Sequence, residues 1–495
     1  MVQSRSKKNL ITGLLYQFIN TAAGLLLPYL FITSLGSETN GLLSSIGQLF
    51  VYLGLLEAGV GTATLQALFK PVAADDKDGI SAILAATNRY YIKTGIYYTV
   101  AIVLLALAYP FFVDSALSAF TIRAVILMQG AGQIVCYFTQ AKYTLLLQAE
   151  GKNYLLSYLM IAGALFRNAG KIAAIALGYG VISVQFIHFT ALCANAFIIV
   201  TYIHRNYPWI DLSIKPNYEA IEQKNSVLVQ SIVWIIFNHT DVLVLTLFTR
   251  DLTLVSVYSV YLLVFETIQN VTNEVRASYH YKLGHYSQQS KEELSAFFSR
   301  YSLIISAFMC FCFGATYYLS APFVRLYTAR ATDANYMVPW LPELFFSYKV
   351  LYGIRALFRQ PIEASGHFKS TERITITEAV INLVVSIVLV FYFNIYGVLI
   401  GTIVALIYST VAYIRYVSRN IMTGWYRKIL VLFLPDIVLV IGTMVVCQFY
   451  PIIANNFLQL ITKMILPTTA LAAFFGLVVM IQINIERRLK TKPQR

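Results

Sequence analysis

Residues Arg373–Arg415 read RITITEAVINLVVSIVLVFYFNIYGVLIGTIVALIYSTVAYIR, two apolar runs at about 373–396 and 397–417 meeting at a segment, 394–397, that holds no Lys or Arg. Each run is long enough to cross ~30 Å of hydrocarbon as a helix. The basic residues stand at the opposite ends, Lys369 and Arg373 before the first run and Arg415 after the second. Runs of the same kind recur along the chain at about 10–35, 41–69, 89–113, 120–147, 154–179, 181–203, 224–249, 254–275, 300–324, 336–361, 428–450 and 459–485. With the first two they make about fourteen. Hydrocarbon offers the backbone no water to bond, so spans of this length are helices. The expected fold class is an all-α integral membrane protein.

Composition agrees. The 495 residues are 58% hydrophobic and 12% charged, with a mean hydropathy of +0.66. A soluble domain carries about 25% charge, and half of that cannot cover a water-soluble body of this size. The net charge of +14 raises the question of nucleic acid, which its distribution answers. About 27 of the 37 Lys and Arg fall in the N-terminus, alternate connecting segments and the C-terminal tail, and about five at the other set of helix ends. That is the positive-inside bias, so both termini are expected in the cytoplasm and no nucleic-acid surface is implied. Segments 36–40, 178–182, 394–397 and 451–458 hold no Lys or Arg, as an even number of spans requires. Arg5, Lys7 and Lys8 ahead of an apolar run resemble a signal peptide, but the run continues to Leu35 without a small-residue cleavage site and reads as a retained first span. Cys136, Cys193, Cys310, Cys312 and Cys447 all lie in apolar runs and read as small buried hydrophobes.

The outer loops are expected to be about ten residues at most, too short to house the catalytic residues of an enzyme acting outside. No P-loop, GxSxG or HExxH motif is present, so neither an ATPase nor a hydrolase is expected, and no metal site. The long connection from Arg205 to Lys224, with Pro208 and Pro216, separates six spans from six. The expected division is 1–210, a six-helix lobe; 211–425, a second six-helix lobe; and 426–495, two further helices and a basic tail. Ser290, with Glu293 three residues on, forms a capping-box pattern and predicts a short surface helix leading into the ninth span.

Charges at membrane depth are costly and face a cavity or a partner. Arg167 and Lys171 stand four apart in the fifth span, with Asn168 beside them, and share one helix face. They suit a cationic wall that binds phosphate; an internal ion pair with Glu57 accounts for the same residues. Lys349 in the tenth span, and Lys93 and Lys142 near the inner ends of the third and fourth, are further candidates, the last two also explained by snorkelling. Arg359 is expected to pair with Glu363. For cation coupling the candidates are Glu57 and the cluster Asn238, His239 and Asp241, able to hold Na⁺ or relay a proton. Gln17 and Asn20 supply neutral polar atoms to the first span.

The stretches Leu15 to Leu30 and Ser34 to Leu42, Leu55 to Gly61, and Glu378 to Thr402 resemble the Wzx-type polysaccharide flippases. These form the polysaccharide transport branch of the MOP exporter superfamily, alongside MATE exporters and MurJ-type flippases. The resemblance implies two MATE-like six-helix lobes around a cavity opening alternately to each side. It implies a cargo of oligosaccharide on undecaprenyl pyrophosphate, turned from cytoplasmic to outer leaflet for O-antigen or capsule synthesis in a bacterial inner membrane. No cofactor is implied beyond Na⁺ or H⁺; partners would be membrane lipids, a glycan polymerase and a chain-length regulator. Family members often carry a charge in the first and seventh spans. Asp241 fits the seventh, but the first has only Gln17 and Asn20. A MATE-type cation antiporter and a MurJ-like lipid II flippase are the alternatives. The former would want an acidic cavity, whereas this chain has more deep bases than acids.

Overall fold

The computed structural model describes residues 2–57, 59–221, 224–422, 436, 440–445, 447 and 449–491, and of these the side chains outside 2–11, 14, 224–234, 237–238, 368, 483 and 485–491. Helices dominate the described residues: α1 Val2–Leu30, α2 Ser37–Leu53, α3 Val60–Ala73, α4 Lys77–Ala108, α5 Ala119–Thr139, α6 Ala141–Ala149, α7 Asn153–Ala176, α8 Val181–Asn206, α9 Lys224–Thr249, α10 Leu252–Ala277, α11 His280–Ser287, α12 Lys291–Tyr327, α13 Leu341–Ala364, α14 Phe368–Phe393, α15 Ile395–Tyr416 and α16 Phe457–Thr491. Among the described residues, eleven helical segments are long and apolar enough to cross a membrane. The chain is a multi-pass membrane protein. α13 falls outside that number because Lys349, Arg355 and Arg359 crowd it, and of α9 only His239–Thr249 qualifies, as a shorter apolar helix. The expected run 428–450 lies largely outside the described residues.

The chain forms two compact units, Met1–Ser256 and Val257–Arg495. In the first, Tyr91, Tyr98, Tyr109 and Tyr137 are buried in a core shared by α2 to α8. The polar end of each tyrosine needs a partner there; Tyr109 finds Ser45 Oγ at 2.8 Å. In the second, Phe345 stacks on Phe265 and Tyr261, and Phe346 on Tyr317, which ties α13 to α10 and α12.

Helix starts follow their caps. Asp76 accepts from Gly79 N–H at 2.9 Å to open α4, and Ser118 accepts from Thr121 N–H to open α5. Ser290 accepts from Glu293 N–H at 3.1 Å, as its sequence pattern predicts. The helix it caps, however, is α12 itself, 37 residues without interruption, and not a separate surface helix. The short helix is α11, which precedes the cap.

Two expected continuous spans are broken, both at polar residues. The second run divides into α2, a 3₁₀ turn Gly54–Leu56 and α3, with Gly59 at φ 90° between them; glycine reaches that left-handed region without a side-chain clash. The fourth run divides at Gln140, between α5 and α6. The first run passes through Pro28 and loosens into a π turn, Phe31–Leu35, where Thr33 Oγ1 donates to the Tyr29 carbonyl at 2.8 Å. The segment after α8 packs back onto the first unit. Tyr207 donates to Glu150 at 2.5 Å and accepts from Lys152 at 2.6 Å, while Lys152 pairs with Glu150. Burial opposes the Lys152 charge, but its bonds to Glu150 and Tyr207 outweigh it and push the ammonium up to about 12. Asn217 N–H then donates to the Ala82 carbonyl.

Gly41, near the start of α2, lies so close to the start of α10 that a methyl group there would strike the Leu252 carbonyl, whereas one on Gly47 would meet open space. Gly41→Ala should therefore lower stability by about 1–3 kcal/mol through overpacking. Gly47→Ala should leave it within ~0.5 kcal/mol. Thermal unfolding of the two variants in one detergent checks both.

Candidate functional site

α7 packs against α1 on one side and α8 on another, and its polar residues lie where these helices meet. Lys171 is buried, 9% exposed, and Arg167 one turn earlier is half-buried. Each lies within electrostatic reach of the other and of His188 on α8. Tyr16 of α1 stands within reach of Arg167. Two neighbouring nitrogens, Asn168 Nδ2 and His188 Nδ1, are buried with no hydrogen-bond partner among the described residues. Among the described residues, no carboxylate pairs with Arg167 or Lys171. Like charges one turn apart repel, and buried charge and buried N–H groups without partners are expensive. An anion accepting from Arg167, Lys171 and Asn168 Nδ2 would relieve both costs.

Glu57 does not supply that anion. It sits at the break between α2 and α3, and its Oε1 accepts from Tyr91 O–H at 2.9 Å. Tyr91 stacks on Tyr137, which meets Tyr98 edge-on, so tyrosines surround the carboxylate. Asp241 is buried on α9, within electrostatic reach of Tyr52. Its neighbours bind α2: Thr240 Oγ1 and Tyr52 O–H are 2.8 Å apart, and His239 Nδ1 lies 2.5 Å from Gln48 Oε1. The Asn238 side chain lies outside the described residues. Gln17 is exposed and Asn20 half-buried on α1. No group of three His, Cys, Asp or Glu placed to hold a metal occurs among the described residues.

The other basic candidates have separate surroundings. Lys142 is buried at the α5–α6 break, where its Nζ donates to the Thr139 carbonyl at 3.1 Å, an oxygen the interrupted helix leaves free. Lys93 is exposed on α4 and lies over the Tyr97 ring. Lys349 belongs to the second unit. It is fully buried, donates to Gln269 Oε1 on α10 at 2.6 Å and lies over the Tyr348 ring. Arg359 pairs with Glu363 at 2.7 Å, as the sequence spacing predicts.

Three residues carry interactions that the sequence reading did not single out. Glu378 on α14, fully buried, holds Arg355 of α13 in a two-pronged ion pair at 2.6 and 2.7 Å and accepts from Ser409 of α15. Asp436 accepts from Ser306 of α12 at 2.8 Å and Gln482 of α16 at 3.2 Å. The third is His188. The signal for each is the same, one ionisable residue in an apolar run.

The sequence matches no known family model and no curated protein. Solved structures do match. A structure described as the lipid II flippase MurJ in an inward closed conformation aligns over 98% of this chain and all of its own, with a TM-score of 0.69 and 14% identity. An inward-facing multidrug-resistance MATE transporter of the MOP superfamily aligns over 81% of this chain and 93% of its own, at TM-score 0.60 and 15% identity. A MATE protein in complex with MaD3S follows at 0.54, with 17% identity over 83% of this chain and 93% of that one. The chain has the fold that these transporters share.

Arg355 and Glu378 bond three helices through one buried pair. Arg355→Met alone, or Glu378→Leu alone, should cost about 3–5 kcal/mol by stranding the partner's charge, and the double substitution should regain most of that loss. The yield of folded protein and its melting temperature, compared across the three variants, check this.

Proposed function

We propose that the chain is a transporter that turns an oligosaccharide on undecaprenyl pyrophosphate from the cytoplasmic to the outer leaflet of a bacterial inner membrane, by alternating access, for surface polysaccharide synthesis. The observation that carries the reading is the cationic pair Arg167 and Lys171, with Asn168 and His188 beside it, which lacks a carboxylate partner among the described residues. Diphosphate suits it. Guanidinium binds phosphate in two-pronged fashion, and ammonium serves as a point charge. A cationic drug would be repelled there, which weighs against a multidrug cargo. The fold agrees with a transporter, and the resemblance at Leu15 to Leu42 and Glu378 to Thr402 favours the polysaccharide branch.

Coupling to Na⁺ or H⁺ falls to Glu57 or Asp241. Glu57 is the stronger candidate, because it occupies a break in a spanning helix, where transporters place ion sites. A lipid II cargo is the second reading, favoured by the alignment of the whole chain with the MurJ structure.

In a host deleted for this gene, the wild-type chain should restore surface polysaccharide. Arg167→Ala with Lys171→Ala should lower export on the order of tenfold or more, since each bond to a charged group contributes about 1.5–3 kcal/mol. Lipid-linked repeat units should then accumulate in the inner leaflet. Undiminished export at equal protein level would remove the phosphate reading. Rescue of a strain depleted of its lipid II flippase would favour the second reading.

A further inference from the structure

We infer that the inner end of the α14–α15 hairpin is a binding site for an acidic phospholipid. The site is independent of the cargo reading. The two helices touch most closely at their outer halves. A Cβ on Gly397 would strike the Leu389 backbone, and one on Gly401 would strike Ser386, so small residues four apart bring the backbones together. Asn382 Nδ2 donates to Thr402 Oγ1 at 2.8 Å there, and farther in Ser409 donates to Glu378 at 2.7 Å. Thr375 and Tyr413 still bridge the helices through their hydroxyls at 2.8 Å, and Tyr416 O–H lies 2.9 Å from His367 Nδ1. On one side of these bridges the helices leave a crevice of about 580 Å³.

Its lining divides by chemistry along its length. Ile374 of α14 and Ile407, Val411 and Ala412 of α15 form an apolar wall, and Ile407 and Val411 are about half exposed. Arg415, Arg419 and Asn420 form the inner end. Arg415 and Arg419 are exposed and one turn apart, and the chain passes into a π turn, Val417–Ile421, as it carries the second of them. Among the described residues, no carboxylate lines the crevice. Glu372 is exposed on α14, two residues before Ile374, and Glu363 is engaged with Arg359.

This end of the hairpin is the one that the basic connecting segments place on the cytoplasmic side. Two guanidinium groups at the interface, continued by an apolar wall along the span, match a phosphodiester headgroup with its acyl chain. Free phosphate would use the arginines but leave the isoleucine and valine surface without an occupant. Each basic residue near an anionic headgroup contributes about a fivefold gain in affinity.

The test is native mass spectrometry of the full-length protein in detergent, titrated separately with phosphatidylglycerol and phosphatidylcholine. Phosphatidylglycerol should bind the wild type well above phosphatidylcholine. Arg415→Ala with Arg419→Ala should weaken it by about thirtyfold, Arg415→Lys with Arg419→Lys should retain most of the binding, and Val411→Trp should weaken both lipids by filling the wall. Lys369→Ala with Arg373→Ala, outside the crevice, should leave binding unchanged. Melting temperatures alongside report folding, and both arginines are exposed. The inference is overturned if the double alanine variant binds phosphatidylglycerol as the wild type does. It is also overturned if the Lys369 and Arg373 variant loses as much, or if inorganic phosphate displaces the lipid at equal concentration.

Discussion

Hydrocarbon solvates neither a peptide group nor a charge, and the layout of this chain follows from that one constraint. Each backbone donor and acceptor within a span must find its partner inside the helix. Where a helix breaks, something nearby takes over the bond. Lys142 caps the carbonyl freed at the α5–α6 break, and Thr33 serves the loosened turn after Pro28. The break at Glu57 and Gly59 sets a carboxylate among tyrosine hydroxyls and not among aliphatic side chains.

The same constraint sorts the buried charges. Arg355 and Glu378 neutralise each other and draw Ser409 into the pair, which makes them a fastening between α13, α14 and α15. Asp436 has Ser306 and Gln482, and so joins α12 to α16. Lys349 rests on Gln269 and the face of Tyr348. Against these, Arg167 and Lys171 add positive charge to positive charge, with an amide and an imidazole nitrogen beside them that bond to nothing described. Among the described residues no carboxylate matches that charge, and the proposed anionic cargo would do so.

Much of the fold was legible in the sequence because span length and the placement of Lys and Arg are properties of single segments. The described helices other than α11 overlap the expected runs, and the Ser290 cap and the Arg359–Glu363 pair depend only on local spacing. What the sequence left hidden depends on partners distant in the chain. Glu378 was visible only as part of a motif, because its partner Arg355 lies on another helix. Arg167 and Lys171 were expected to have Glu57 as an alternative partner, and only the fold shows that Tyr91 holds that carboxylate. His188 lay in an apolar run with no local sign that α8 would carry it to Lys171. The breaks in the second and fourth spans were hidden because hydropathy averages across a polar residue.

The most direct measurement is the affinity of the purified full-length protein, in detergent, for a polyprenyl pyrophosphate and for the uncharged polyprenol of the same length. The pyrophosphate should bind far more tightly, and Arg167→Ala with Lys171→Ala should abolish the difference while polyprenol binding stays as it was. Equal affinity for the two lipids in the wild type, or an undiminished preference in the variant, would contradict the claim that this cationic group is an anion site.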